Sequence, residues 1–173
     1  MGRVLVDWRK YEEAAPELEK AIAIDRDDES LHVSLGRAYL NLGKTDQALA
    51  AFDKAVELSA EPTTWNNVAY YLSLSRVRLD RAQQYAESAV AATSADLRNV
   101  GLDRLSTRDL GRVSSIAAYW DTLGWVHFQR GDMGKAEKFV LASWQLDMHG
   151  EVGDHLGQIY EKQRRKKIGR AHV

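Results

Sequence analysis

A spacing of residues that recurs along the chain constrains its fold more than any other feature. In residues 29–62 a leucine is followed by glycine at +1, an aromatic residue at +4, a second glycine at +8 and alanine at +13. Residues 117–150 carry the same pattern, with histidine as the ring at +4. Fixed internal spacing is the sequence signature of a repeat architecture. The two sets are Leu35, Gly36, Tyr39, Gly43 and Ala48, and Leu123, Gly124, His127, Gly131 and Ala136.

The spacing predicts a pair of helices in each repeat. Leucine, glycine and the ring fall on one face of a first helix, which ends at the second glycine because glycine readily adopts a left-handed conformation. Ala48, Phe52 and Ala55 recur at helical intervals and form the apolar face of a second helix. Small residues at Gly36 and Ala48 allow the two helices to approach closely. Because one pair cannot bury its outer face alone, successive pairs must stack.

On these residues the chain resembles the tetratricopeptide-repeat (TPR) family, whose repeat is about 34 residues long. Residues 29–62 carry nearly the whole family pattern, with His32 in place of the usual tryptophan or leucine. The resemblance implies an all-α fold, a right-handed superhelical array (α-solenoid) of about eight helices in antiparallel pairs. The residues expected to pack between helices are Leu35, Gly36, Tyr39, Ala48, Phe52, Ala55, Ala82, Trp120, Leu123, Gly124, Ala136, Leu156, Gly157 and Tyr160.

The repeat phase divides the chain into seven segments. One repeat has an extra residue in its turn, since Val68 and Ala82 are fourteen positions apart where Leu35 and Ala48 are thirteen apart. The segments are a partial first TPR, mainly its second helix, at 1–28; a TPR at 29–61; a TPR with the one-residue turn insertion at 62–95; an inserted connector at 96–115; a TPR at 116–149; the first helix of a truncated TPR at 150–167; and IGRAHV at 168–173.

Two of these segments depart from a plain array. Ser106 and Asp109 in the connector have the spacing of a capping box and predict the start of a short helix. The connector either covers the groove between neighbouring pairs or helps to build a binding face. The last six residues fit no helical stripe, and we expect them to be a non-native tail, with a short natural basic tail as the alternative.

Composition excludes several classes of partner. The net charge of −1 and the pI near 6.5 offer no overall attraction for nucleic acid or an anionic membrane. No apolar run approaches the roughly 20 residues that span a bilayer, and no secretory signal is visible. With zero cysteines there is no disulfide or thiolate metal site. We expect a soluble protein of the bacterial cytoplasm or periplasm, with the compartment undetermined.

The sequence does not indicate an enzyme, a metal site or a cofactor. His149 and His155 are six residues apart with glycines between them, whereas two metal ligands on one helix face are usually four apart. His127 takes the position of the repeat's aromatic ring. No nucleophile elbow or phosphate-binding loop is present. We therefore expect a binding protein without catalytic residues.

In TPR arrays the first helices line a concave groove, and residues beside the packing stripe face it. The resemblance implies a scaffold that binds a peptide segment or a partner domain there. Two alternatives are an intramolecular docking or regulatory module of a larger bacterial enzyme and an assembly role through the array ends. The connector and its flanking segments resemble the C-terminal TPR tails of large bacterial proteins, some of which have a transglutaminase-like region upstream. The groove residues are Val33, Arg37, Asn41, Asn66, Tyr70, Leu74, Asp121, Trp125, Gln129, Asp154, Gln158 and Lys162.

The groove residues also suggest a type of ligand. Tryptophan in TPR helices either packs or contacts ligand, and Trp120 already fills the packing position, so we expect Trp125 to be exposed in the groove. Asp121 and Asp154 would attract a basic segment with an aliphatic anchor to the C-terminal half, and Arg37 belongs to the other half. The paired Lys/Arg and Asn residues of a two-carboxylate peptide clamp are missing, since only Asn67 matches.

Overall fold

The computed structural model describes residues 1–98, residue 100 and residues 106–163. Within these residues the chain forms nine α-helices and no strand, so the predicted all-α fold is confirmed. The count exceeds the expected eight because a short N-terminal helix stands apart from the next one. The 168–173 segment, like residues 101–105 and 164–167, lies outside the described residues. The helices are α1 Gly2–Asp7, α2 Tyr11–Ile24, α3 Glu29–Asn41, α4 Thr45–Leu58, α5 Pro62–Leu74, α6 Leu79–Leu97, α7 Thr107–Arg130, α8 Met133–Leu146 and α9 Gly150–Lys162.

The helices form four sequential pairs, α1–α2, α3–α4, α5–α6 and α7–α8, and α9 packs on α8. Neighbouring first helices also contact each other, from α1 to α3, α3 to α5, α5 to α7 and α7 to α9. The first helices therefore form one layer of the array. Most of the expected packing residues are buried, and Trp120, Leu156, Gly157 and Tyr160 are partly exposed.

Each complete pair is held together where a small residue of the first helix meets its partner helix. A Cβ added to Gly36 would lie 2.4 Å from Cε1 of Phe52, so only glycine fits against that ring. In the α5–α6 pair the first helix has Ala69, and the opposing residue shrinks to Ala86. The side chains on the two helices thus complement each other in size. The glycine contacts of this kind are Gly2–Leu18, Gly36–Phe52 and Gly124–Val140.

The turn inside each pair uses one residue with positive φ. Gly43 (φ 72°) and Gly131 (φ 87°) occupy this position, as the sequence predicts. Arg9 (φ 59°) and Arg76 (φ 54°) take the same place in the other two turns, where a side chain is strained. Arg78 (φ 46°) follows in the turn that has the extra residue. A positive φ at this one position therefore recurs in all four pairs even where glycine is absent, and the α5–α6 turn adds a second one at Arg78.

The connector differs from the expected short helix. Ser106 and Asp109 do form a capping box, but the helix that they start, α7, continues for 24 residues to Arg130. Arg112 of α7 pairs with Asp96 of α6 at 3.2 Å, so the two long helices are joined beyond the repeat. None of the helices in the described part of the chain has the length and apolar character needed to cross a membrane.

Candidate ligand-binding groove

The expected groove residues all lie on the layer of first helices, but they differ in exposure. The exposed ones are Asn41, Leu74, Asp154 and Lys162. Four are half-buried, namely Arg37, Tyr70, Gln129 and Gln158. The buried ones are Val33, Asn66, Asp121 and Trp125.

Trp125 is not exposed in the groove, and that expectation is wrong. Its side chain is only 5% exposed. The indole stacks on His155 of α9, with ring centroids 4.0 Å apart, and on Phe128 at 4.6 Å. Helix α9 covers the ring because it packs directly against α7. Trp125 therefore belongs to the core between these two helices.

Asp121 is not a free charge on the groove surface either. It is 6% exposed, and both carboxylate oxygens lie 2.9 Å from Nδ1 of His155. A carboxylate only accepts hydrogen bonds, so Nδ1 carries the hydrogen and donates it. The pair satisfies the buried carboxylate and joins α7 to α9. Asp121 thus stabilises the helix contact and is not exposed on the groove surface as expected.

Two further residues expected in the groove are buried between first helices. Val33 is part of the apolar core formed by the N-terminal repeats. Asn66 is 9% exposed, and its side-chain oxygen Oδ1 has no hydrogen-bond partner within the described residues. Neither is exposed on the open surface of the groove, although each lines one of the cavities described below. The open part of the groove must therefore be sought at the ends of the first helices.

An open cavity of about 630 Å³ lies between α3 and α5 near their C-terminal ends. Arg37 pairs with Asp7 at 3.1 Å, and its guanidinium carbon lies 5.3 Å from the centre of the Tyr71 ring. Arg9 has no ion pair to any described residue. The cavity therefore combines positive charge with apolar and aromatic surface. Its lining includes Arg9, Arg37, Leu40, Tyr70, Tyr71 and Leu74.

A second cavity, about 440 Å³, lies between the N-terminal ends of α3 and α5. Glu29 and Glu61 line it, and no arginine or lysine does. This cavity and the 630 Å³ cavity both lie between α3 and α5 and share Tyr71, so the two are parts of one groove along these helices. We call it the α3–α5 groove. Its charge changes from negative at one end to positive at the other.

The C-terminal half of the helix layer is bridged by side chains. Tyr70 of α5 donates a hydrogen bond from its hydroxyl to the Glu151 carboxylate of α9. The pKa of Tyr70 is raised far above its usual value. Burial of the hydroxyl is the larger cause, and the hydrogen bond to the Glu151 carboxylate is the second. A third cavity, about 340 Å³, lies beside the bridge among residues of α5, α7, α8 and α9. In the described residues no three His, Asp or Glu side chains are placed to hold a metal ion.

Several residues that form these sites do not follow from the repeat pattern. Tyr71 lines all three cavities, yet it stands one position beyond the expected groove residue Tyr70. His155 stands 34 residues after Asp121, which is one repeat length. Within the repeat register His155 follows Asp154, the equivalent of Asp121, by one position, and an acid and a histidine about one repeat apart are a signal that could have indicated the pair. No comparable signal marks Ser143, which is fully buried beside the 340 Å³ cavity.

The fold and groove define an α-solenoid built from antiparallel helix pairs. Residues 5–66 match the family model described as Tetratricopeptide repeat. The solved structures that are similar are TPR proteins as well. Residues 5–66 therefore carry the tetratricopeptide repeat, and the described chain as a whole shares the fold of these solved structures. No curated protein sequence matches it.

Three solved structures illustrate the shared fold. PilF of Pseudomonas aeruginosa superposes with a TM-score of 0.68 at 19% identity, covering 94% of this chain and 66% of that chain. MamA from residue 41 to its end, from Desulfovibrio magneticus RS-1, gives a TM-score of 0.61 at 20% identity over 96% and 83% of the two chains. PilW, described as a widely conserved type IV pilus biogenesis factor, gives 0.61 at 17% over 98% and 76%. Identities this low show a common fold.

Proposed function

We propose that this protein is an interaction scaffold that binds an extended segment of a partner protein in the α3–α5 groove. The open cavity of about 630 Å³ between the two helices is the observation that carries the proposal. Its volume is within the usual range for ligand sites, roughly 300–1,000 Å³. The TPR match supports a protein partner, because arrays of this kind present their first helices to other proteins. The C-terminal half is less open, since Trp125 and Asp121 are buried there.

The lining of the groove indicates the chemistry of the segment. Arg9 and Arg37 at one end favour a carboxylate, and arginine is well suited to hold one through two parallel hydrogen bonds. Leu40, Leu74 and the Tyr71 ring provide apolar surface for a neighbouring side chain. We therefore propose a segment with an acidic residue next to an aliphatic or aromatic one.

The charge gradient supports one orientation of the bound segment. The far end of the groove holds Glu29 and Glu61, which repel an acidic residue. A segment placed in reverse would bring its carboxylate to these two side chains and leave the arginines without a partner. Electrostatic complementarity of this kind contributes more to specificity and association rate than to affinity.

The proposal is tested by selecting peptides from a display library on the folded chain and measuring their affinity by fluorescence anisotropy. Leu74→Ser should weaken a selected peptide about tenfold, or roughly 1.4 kcal/mol. Leu146→Ser is the matched control, because Leu146 on α8 is 47% exposed, as Leu74 is 46% exposed, and lies outside the groove. If both variants bind the peptides equally well, the α3–α5 groove is not the site.

A second pair of variants tests the charge at the basic end. Arg9→Gln should weaken binding of the acidic peptides and reduce its dependence on salt. Arg130→Gln removes the same charge from an exposed residue outside the groove and should leave binding unchanged. Selected peptides without an acidic residue would contradict the proposed chemistry.

A further inference from the structure

The cavity of about 340 Å³ beside the Tyr70–Glu151 bridge is separate from the α3–α5 groove. It lies among α5, α7, α8 and the start of α9. Its lining contains three carboxylates, those of Asp121, Asp147 and Glu151, and neither lysine nor arginine. Such a lining repels anions and favours a cation.

Two buried polar side chains in this cavity have no partner in the described structure. The Oδ1 atom of Asn66, a residue 9% exposed, accepts no hydrogen bond. The hydroxyl of Ser143, which is 0% exposed, is likewise unpaired. Both residues line the same cavity. Leaving a buried polar group unpaired costs about 1–3 kcal/mol, so a ligand that donates hydrogen bonds here recovers part of that cost.

The carboxylates next to these atoms retain capacity to accept hydrogen bonds. Asp147 makes no ion pair with any described residue and is exposed at the end of α8. Glu151 accepts one hydrogen bond, from Tyr70, and its other oxygen remains available. Four groups in the lining therefore have unused capacity to accept hydrogen bonds, namely Asn66, Ser143, Asp147 and Glu151.

We propose that this cavity binds a guanidinium group, from an arginine side chain of a protein partner or from a free guanidinium compound. A guanidinium has five N–H donors in one plane, whereas an ammonium has three. A guanidinium can therefore donate to more of these acceptors than an ammonium can. It is also less strongly hydrated than an ammonium, which lowers the cost of entering a partly buried cavity. Asp121, already held by His155, adds negative charge to the cavity wall.

The proposal is separate from the function of the α3–α5 groove, because the two cavities share Tyr70 and Tyr71 but none of the charged residues. Binding is measured by isothermal titration calorimetry with three peptides that differ only in a central arginine, lysine or citrulline. We expect the arginine peptide to bind at least about tenfold more tightly than the citrulline peptide, which is uncharged. Titration with L-argininamide distinguishes the two sources of the guanidinium group. Equal affinity for L-argininamide and the arginine peptide indicates a free guanidinium compound, and tighter binding of the peptide indicates a protein partner.

Variants of the lining residues locate the bound group. Ser143→Ala removes one hydroxyl and should weaken the arginine peptide about tenfold, as expected for a hydrogen bond to a charged group. Glu151→Gln should weaken it by a similar factor and still accept the hydrogen bond from Tyr70. Asp154→Asn is the matched control, because it removes the same charge from the same helix outside the cavity. Thermal melting of each variant verifies that the chain is folded.

Three results would overturn the proposal. The first is no saturable binding of the arginine peptide up to about 10 mM, a concentration that would detect even very weak affinity. The second is equal affinity for the lysine and arginine peptides, which would show that only charge is recognised. The third is that Glu151→Gln and Asp154→Asn weaken binding of the arginine peptide equally, while Ser143→Ala leaves that binding unchanged. None of these results depends on the Leu74 and Arg9 variants that test the α3–α5 groove.

Discussion

Replacing Gly36 with alanine tests the contact that holds the α3–α4 pair together. The added Cβ would lie 2.4 Å from Cε1 and 2.6 Å from Cδ1 of Phe52, distances shorter than any real carbon contact. The ring cannot move away easily, since it is 1% exposed and is stacked parallel to Tyr71 with centroids 6.5 Å apart. Gly36→Ala must therefore separate the two helices or displace the ring.

The expected size of the effect follows from two opposing contributions. Overpacking a buried site destabilises by about 1–3 kcal/mol. Replacing a glycine within a helix by alanine stabilises by about 1 kcal/mol. Gly36→Ala should therefore lower the free energy of unfolding by up to about 2 kcal/mol. Phe52→Ala alone costs about 3–5 kcal/mol, but in that background Gly36→Ala should become stabilising by about 1 kcal/mol. The natural Ala69–Ala86 contact shows that this fold accepts such a pair.

Urea unfolding followed by circular dichroism measures all four combinations of the two substitutions. Gly111→Ala is the control, because Gly111 lies in helix α7 and an added Cβ would have no neighbour within 4 Å. It should stabilise the chain by up to about 1 kcal/mol. The reasoning is refuted if Gly36→Ala stabilises as Gly111→Ala does, or if its effect is the same with and without the Phe52 ring.

Three further substitutions test the turns, the caps and the buried pair, each by urea unfolding. Arg9→Gly should stabilise by about 0.5–1 kcal/mol, because the turn holds Arg9 at φ 59° and glycine adopts this conformation without strain. Asp28 caps α3 by accepting the Ser30 backbone N–H at 2.9 Å, and the hydrogen bond that it accepts from the Ser30 hydroxyl at 2.6 Å is the main cause of its lowered pKa. Asp28→Ala should therefore cost about 1 kcal/mol at neutral pH, and the difference from the unsubstituted chain should vanish as pH falls through the lowered pKa, whereas Asp28→Asn keeps a cap at every pH. His155→Leu leaves the Asp121 carboxylate buried without its partner and should cost about 3–5 kcal/mol; the double variant with Asp121→Leu should lose less than His155→Leu alone.

The helix pairs could be predicted because their signals are local. Ala48, Phe52 and Ala55 recur at helical spacing within one segment, and all three are buried in the structure. The close approach at Gly36 was predicted as well, although its contact is with the Phe52 ring more than with Ala48. Periodicity determines which face of a helix is apolar, and that face decides the pairing.

The exposure of the groove residues could not be predicted in the same way. Whether Trp125 is covered depends on the side chain that α9 places against it, and that side chain is His155. The repeat pattern assigns Trp125 and Tyr70 to the same position of their repeats, yet one is buried and the other half-buried. The difference in exposure comes from the neighbouring helix. The exposure of a groove residue therefore depends on the residue about one repeat away that packs against it.

The distribution of charge along the first helices connects the two proposed sites. The cavity with Arg9 and Arg37 favours an acidic group, and the cavity with Asp147 and Glu151 favours a basic one. Tyr70 lines both cavities and divides them. A segment that carried an acidic residue and an arginine at the matching separation would gain from both sites, because the second contact forms within an existing complex. The same segment reversed would meet repulsion at both ends. The two cavities together would therefore select the direction of a bound chain more strongly than either cavity alone.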